Sequence, residues 1–167
     1  MSDPTPRSRS ILEFSVILDV IGVAAAFFLD GFYYAQEQAE RTVMEATVRN
    51  MNSGLRMEVA TRIINGREAT IGELVGANPV QWLENPPAGY SGTCQQELVR
   101  GGWCFDTVDR EIVYQPRVDR HLRYLEPVRP GLRWRVSSAA EMAGRPSSGL
   151  GLVGAIGVFS TTLFAWR

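Results

Sequence analysis

From Ile11 to Tyr34 the chain reads ILEFSVILDVIGVAAAFFLDGFYY, twenty-four residues in which only Glu13, Asp19 and Asp30 carry charge. An α-helix needs about 20 apolar residues to cross the hydrocarbon core of a bilayer, so the run predicts a transmembrane helix. A cleaved secretory signal or a buried soluble helix are the alternatives. The run exceeds an ordinary signal core, and no small-residue cleavage site follows it. The helical pattern continues beyond the run. Between Ala35 and Asn65 there is no Pro and one Gly, and Met44, Val48, Met51, Leu55, Val59 and Ile63 recur at spacings of three and four. That spacing draws one apolar stripe along a helix. Glu37/Arg41, Glu45/Arg49 and Glu58/Arg62 stand in the favourable acid-first i,i+4 order. Asn65-Gly66 is a stop signal. One helix over 11–64 is therefore expected, its outer half packed on the chain's own C-terminal domain. A coiled-coil dimer is the alternative for this stripe, though its spacing drifts from a strict heptad.

After Gly66 the texture changes. Ala69 to Gly76 predicts a short helical turn broken by Asn78-Pro79. Val80 to Gly92 predicts a loop pinned by Trp82, Leu83 and Tyr90. Trp103 and Phe105 alternate with Cys104 and Asp106, Glu111 to Tyr114 supplies a return strand, and Asp109 lies in the turn. Leu122 and Tyr124, then Leu132, Trp134 and Val136, alternate with arginines, and Pro130-Gly131 predicts a turn joining those two segments. The expected fold class is α+β, a long N-terminal helix packed on a small antiparallel meander. Residues 149–166 form an eighteen-residue stretch without charge. Thr161, Thr162, Val158 and Phe159 favour strands there, with a second membrane span as the alternative.

Charge then orients the chain. Arg7 and Arg9 precede the apolar run, while Asp30, Glu37 and Glu40 follow it, which places the N-terminus in the cytoplasm by the positive-inside rule. The expected organisation is a cytoplasmic leader (1–10), a transmembrane helix (11–34), its periplasmic continuation (35–65) and a periplasmic α+β domain (66–167). The expected localisation is a bacterial inner membrane crossed once. All seventeen basic residues are Arg, scattered along a chain of net charge −1, so no nucleic-acid footprint is present.

No catalytic constellation emerges, and neither a cofactor nor a metal is expected. His121 is the sole histidine and falls in a predicted strand. Asp106, Asp109 and Glu111 lack the spacing of a calcium loop and read as a solvated turn. Cys94 and Cys104 have no accompanying metal ligands. In an oxidising periplasm they are expected to form one disulfide across the hairpin, with two buried thiols as the alternative.

The N-terminal segment resembles that of the type IV pilin and pseudopilin superfamily. There a short basic leader ends in Gly, and a hydrophobic helix follows with Glu at its fifth residue and often Gly at its fourteenth. With Glu13 as the fifth residue, Gly22 falls on the fourteenth, and Ala24-Ala25-Ala26 on the small residues behind it. The leader junction would be Ser8–Arg9. This sequence departs from the pattern there, with Ser8 in the place of Gly and Arg9 in the place of Phe or Met; Asp19 is also atypical. A second resemblance joins it. NPVQWLENPPAGYSG (78–92), followed by GGWCFDTVDREIVY (101–114), is similar to the periplasmic domain of minor-pilin-like proteins. The resemblance implies a minor pilin or pseudopilin, a subunit of a type IV pilus or type II secretion filament. Its partners would be other pilin or pseudopilin subunits, inner-membrane assembly proteins and the lipid bilayer. In that setting Glu13 would meet the N-terminal amine of a neighbour; alternatively it pairs with Arg9 or reaches the headgroups. An uncleaved, membrane-anchored periplasmic binding or assembly module outside any filament is the second reading.

Overall fold

The computed structural model of the chain describes residues 6–95, 98–125, 130–138, 141 and 156–166; the side chains of residues 6–12 and 30 lie outside that description. A single helix, α1, runs Pro6–Ile64. It ends where the sequence predicts. Gly66 adopts φ 67°, the Arg67 N–H donates to the Arg62 carbonyl at 2.8 Å and the Gly66 N–H to the Ile63 carbonyl at 3.0 Å. This is the left-handed termination that glycine permits. The chain divides into two compact units, Met1–Ala39 and Glu40–Arg167.

The first unit is helix throughout its described length. Its large apolar residues, among them Phe14, Ile17, Ile21, Phe27, Phe28 and Phe32, are exposed on every side. A helix that is apolar all round has no protein-facing stripe, and an apolar solvent suits it.

The second unit is α+β. The Glu40–Ile64 part of α1 packs on a five-stranded sheet of order β1-β2-β3-β5-β6, and a separate pair joins β4 to β7. The strands are β1 (Tyr90–Thr93), β2 (Trp103–Asp106), β3 (Glu111–Tyr114), β4 (Leu122–Tyr124), β5 (Leu132–Ser138), β6 (Ile156–Ser160) and β7 (Phe164–Trp166). Among the described residues every pairing is antiparallel except β1 with β2. Met44, Met51 and Leu55 of the helical stripe are buried, and Val48 and Val59 pack beside them. The opposing layer comes from alternate strand positions, notably Trp103, Ile112, Leu132, Trp134, Val136 and Val158. Trp103 links Tyr114 and Trp134, with ring centroids 4.4 and 5.7 Å away. The stripe stops one turn early, for Ile63 is exposed. Of the expected i,i+4 pairs, Glu58–Arg62 forms at 2.9 Å, whereas Glu45 is taken by Arg41 at 2.9 Å.

Three expectations for the sheet change. β4 and β5 do not form a hairpin about Pro130-Gly131. β5 pairs with β3 and β6, while β4 pairs with β7 through Leu122↔Trp166 and Tyr124↔Phe164. Alternation marks which face of a strand is apolar, not which strand lies beside it. Residues Val80–Gly92 are not wholly a loop. A 3-10 turn over Pro79–Trp82 is capped by the Asn78 side chain, which accepts from the Val80 N–H at 3.1 Å, and β1 begins at Tyr90. The meander is therefore not purely antiparallel. The uncharged C-terminal stretch is β6 and β7 over its described part rather than a second membrane span; residues 149–155 lie outside the described residues.

Cys94 and Cys104 are bonded. Cys94 follows β1 and its N–H donates to the Phe105 carbonyl at 2.9 Å, so the bridge ties the parallel β1–β2 pair rather than the β2–β3 hairpin. A closed loop of this size is worth about 2–3 kcal/mol in the chain-entropy treatment. Reductant should therefore lower the melting temperature. Two free thiols in the unreduced, denatured protein would show that the bridge is absent.

Gly54 offers a sharper test of the packing. A Cβ placed there would lie 2.6 Å from the Trp82 carbonyl oxygen. Ordinarily Gly→Ala in a helix gains about 1 kcal/mol. Here the obstruction is backbone, so the sign reverses: Gly54→Ala should lower thermal stability. A rise in melting temperature would mean that the 79–87 loop does not rest on the helix.

Candidate functional site

The predicted assembly residues all fall on α1. Glu13 and Asp19 are exposed, and Gly22 has nothing within 4 Å of where a Cβ would sit. Ser8 and Arg9 lie within the helical span, but their side chains are outside the described residues. Among the described residues one helix, Glu13–Ile64, is long and apolar enough to cross a membrane. Glu13 and Gly22 are nine residues apart, or about 13 Å along the axis at a rise of ~1.5 Å per residue. They form no common pocket, and any role they share belongs to a surface along the helix.

The acidic trio does come together, but around a guanidinium. Arg133 on β5 lies 3.2 Å from Asp106, 3.7 Å from Asp109 and 3.2 Å from Glu111. The register explains the meeting, because Asp106↔Glu111 pairs across the hairpin and Val113↔Arg133 pairs β3 with β5. Asp106 also closes the turn, accepting from the N–H groups of Val108 and Asp109 at 3.0 and 3.2 Å. Among the described residues no group of His, Cys, Asp and Glu could hold a metal ion. His121 lies just before β4, in the turn rather than in the strand.

Among the described residues two open grooves flank the helix within the second unit. One, of about 420 Å³, lies along β6 and β7, with Arg41, Arg49 and Asn52 at its rim and Trp134, Phe164 and Trp166 at its wall. The other, of about 350 Å³, is bounded by Thr47 and Asn50 on the helix and by Leu83, Glu84, Asn85 and Pro87 on the loop. Ser160 in the first donates to the Thr162 carbonyl at 2.7 Å and Thr47 in the second to the Val43 carbonyl at 2.9 Å, so neither hydroxyl donates to a carboxylate.

The polar contacts that place the helix on the sheet are ones sequence reading missed. Glu40 accepts from the Tyr114 phenol at 2.7 Å and from the N–H groups of Arg117 and Val118 at 2.6 and 3.2 Å. Arg41 donates to the Trp166 carbonyl at 2.8 Å, and Asn52 accepts from the Val158 N–H at 3.4 Å. The partners lie 74 to 125 residues away in sequence, and no local spacing announces them.

No known protein family, no curated protein and no solved structure matches this chain. A long N-terminal helix followed by a small β-sheet is compatible with a pilin-like fold.

Tyr114 supplies a pH test of the Glu40 contact. Burial raises its phenol above the ordinary value, and the hydrogen bond to the Glu40 carboxylate and that carboxylate's charge push it further; only Arg117 opposes. A raised phenol contributes stability below its unfolded value near 10, lost as pH climbs through the folded value. Stability should thus fall above about pH 10, and Tyr114→Phe should flatten that fall. Tyr124, raised chiefly by burial, contributes in the same direction. At neutral pH Tyr114→Phe loses a hydrogen bond to a charged acceptor, about 1.5–3 kcal/mol. An unchanged alkaline limb, measured by denaturation at pH 8 to 11, would remove Tyr114 from the account.

Proposed function

We propose that this chain is a minor pilin or pseudopilin, a non-enzymatic subunit of a type IV pilus or type II secretion filament. It is anchored once in a bacterial inner membrane with its N-terminus cytoplasmic and its α+β domain periplasmic. The observation that carries the reading is one continuous helix, apolar all round in its first half and serving as the spine of a small sheet in its second. The arginines ahead of the apolar run support the orientation, and the bonded cysteines suit an oxidising compartment. Glu13 and Gly22 stand where the family carries its assembly glutamate and its glycine. In this reading the partners are other pilin or pseudopilin subunits, inner-membrane assembly proteins and lipid. Glu13, in an apolar surround, costs a few kcal/mol unless paired. A cation from a neighbouring subunit removes that cost only on assembly.

The Ser8–Arg9 junction favours a second reading, an uncleaved anchored binding or assembly module that never enters a filament. Glu13→Ala separates the two. In a filament subunit it should deplete the protein from sheared filaments while membrane levels stay normal, because insertion itself becomes slightly easier. In an anchored module the substitution should be silent. The mass of the membrane-extracted protein is an independent check. A chain starting at Met1 or Ser2 would leave no free amine at Arg9 and would favour the anchored module.

A further inference from the structure

The face of α1 turned away from the sheet carries a second pattern, of different period from the core stripe. Val43, Asn50, Met57 and Ile64 recur every seven residues, with Ala46, Ser53 and Ala60 between them at alternating steps of three and four. At ~100° per residue this seam lies roughly opposite the direction of Met44, Met51 and Leu55. Its large members are bare: Val43 is 66% exposed, Met57 71% and Ile64 83%. Together with Thr47, Gly54 and Thr61 alongside, the seam carries no charge over about 32 Å. A helix face meant for water is ordinarily charged. A 3.5-residue period is the pattern by which one helix packs along another.

We infer that this seam pairs with a second copy of the chain, in parallel and in register. Three features select that partner. The spacing calls for a helix, and the small residues at Ala46, Ser53 and Ala60 let two helices approach closely. Asn50 occupies the position at which a buried Asn meets its own counterpart and sets the register of a parallel pair. The flanks are also self-complementary. Arg49 borders the seam on one side, and Glu84 stands on the loop bordering the other, beside Thr47 and Asn50. Both are exposed, and neither has a hydrogen-bond or ion-pair partner among the described residues. In a parallel pair the position of Arg49 faces that of Gly54 in the other copy, where the Trp82 backbone rests on the helix and Glu84 follows two residues on. Arg49 of each copy therefore meets Glu84 of the other, twice by symmetry. An antiparallel pair would set Arg49 against the arginine flank of its partner and Glu84 against Glu84. The inference uses the membrane anchor, which aligns two copies, but not entry into a filament. A silent Glu13→Ala therefore leaves it standing.

The test uses the full chain in its membrane. Ser53→Cys lies on the seam and Gln81→Cys, an exposed control, does not; the native cysteines are already bonded to each other. Mild oxidation should give a disulfide dimer at Ser53→Cys at least several times more abundant than at Gln81→Cys. In the Ser53→Cys background, Arg49→Glu or Glu84→Arg should each reduce the dimer roughly three- to fivefold, the scale of an exposed charge pair. The two together should restore it. Retention of the Cys94–Cys104 bond in every variant shows that the domain is intact. Equal cross-linking at the two sites, failure of the double exchange to restore the dimer, or capture of Ser53→Cys only in a mixed species with another protein would each overturn the inference.

Discussion

Glu40 accepts three hydrogen bonds from the sheet side, one from a phenol and two from backbone N–H groups, and the axial position of the helix on the sheet depends on them. Apolar burial is not directional. Met44, Met51 and Leu55 face the tryptophan-rich layer, and contact between apolar side chains carries no donor–acceptor match that singles out one position. A carboxylate at 2.6 to 3.2 Å from three donors has no such latitude, because a shift of one helical turn would leave those N–H groups and the acid without partners. Arg41 on the Trp166 carbonyl secures β7 from the next position of the helix, and Asn52 reaches the edge of β6 three turns on. Burial supplies most of the stabilisation, and these three side chains, with the close approach of the Trp82 backbone to Gly54, fix the register.

The same helix changes character along its length. Over its first half the apolar residues are exposed in every direction, and the composition suits lipid. From Glu40 onward the sheet covers the stripe of Met44, Met51 and Leu55. The sheet's other face is closed by charge. Arg133 offsets part of the repulsion among Asp106, Asp109 and Glu111, which the hairpin brings together. Cys104 is tied to the adjacent parallel strand by its bond to Cys94. Domains of about this size have limited core, and such ties supplement it.

Local pattern carried much of this fold into view. The 3.6 period and the Asn65-Gly66 stop marked the helix to within a few residues, and alternation placed β2, β3 and the apolar face of β5. What escaped was non-local. β1 has four residues, Tyr-Ser-Gly-Thr, with no apolar alternation to announce a strand, and its parallel partner could not be inferred from a turn. β4 and β5 alternate in the same way, so nothing local could tell that β4 would bond to residues at the far end of the chain. In the sequence Glu40 stands only as one of the acids that follow the apolar run, because its donors lie more than seventy residues away. Of the candidate site residues, the cysteine pair was legible because two cysteines allow one intramolecular connection. Glu13 and Gly22 are visible as positions, but their chemistry needs a neighbour.

The outward face of the helix bears on how two copies would associate. Its small residues favour close approach but bury little apolar area, and each exposed charge pair at the flank contributes at most about 1 kcal/mol. Free in solution, so modest a surface would meet the full entropic cost of association, several kcal/mol or more. In the proposed topology much of that cost is removed in advance. Two anchored helices already share an orientation and a plane, so pairing resembles an intramolecular event at high effective concentration. A seam too weak for a soluble dimer can then suffice in a membrane. Weak pairing also suits reversible use: a subunit held in register by Asn50 and by Arg49 with Glu84 can be released without unfolding, because none of these groups belongs to the core on which the domain depends.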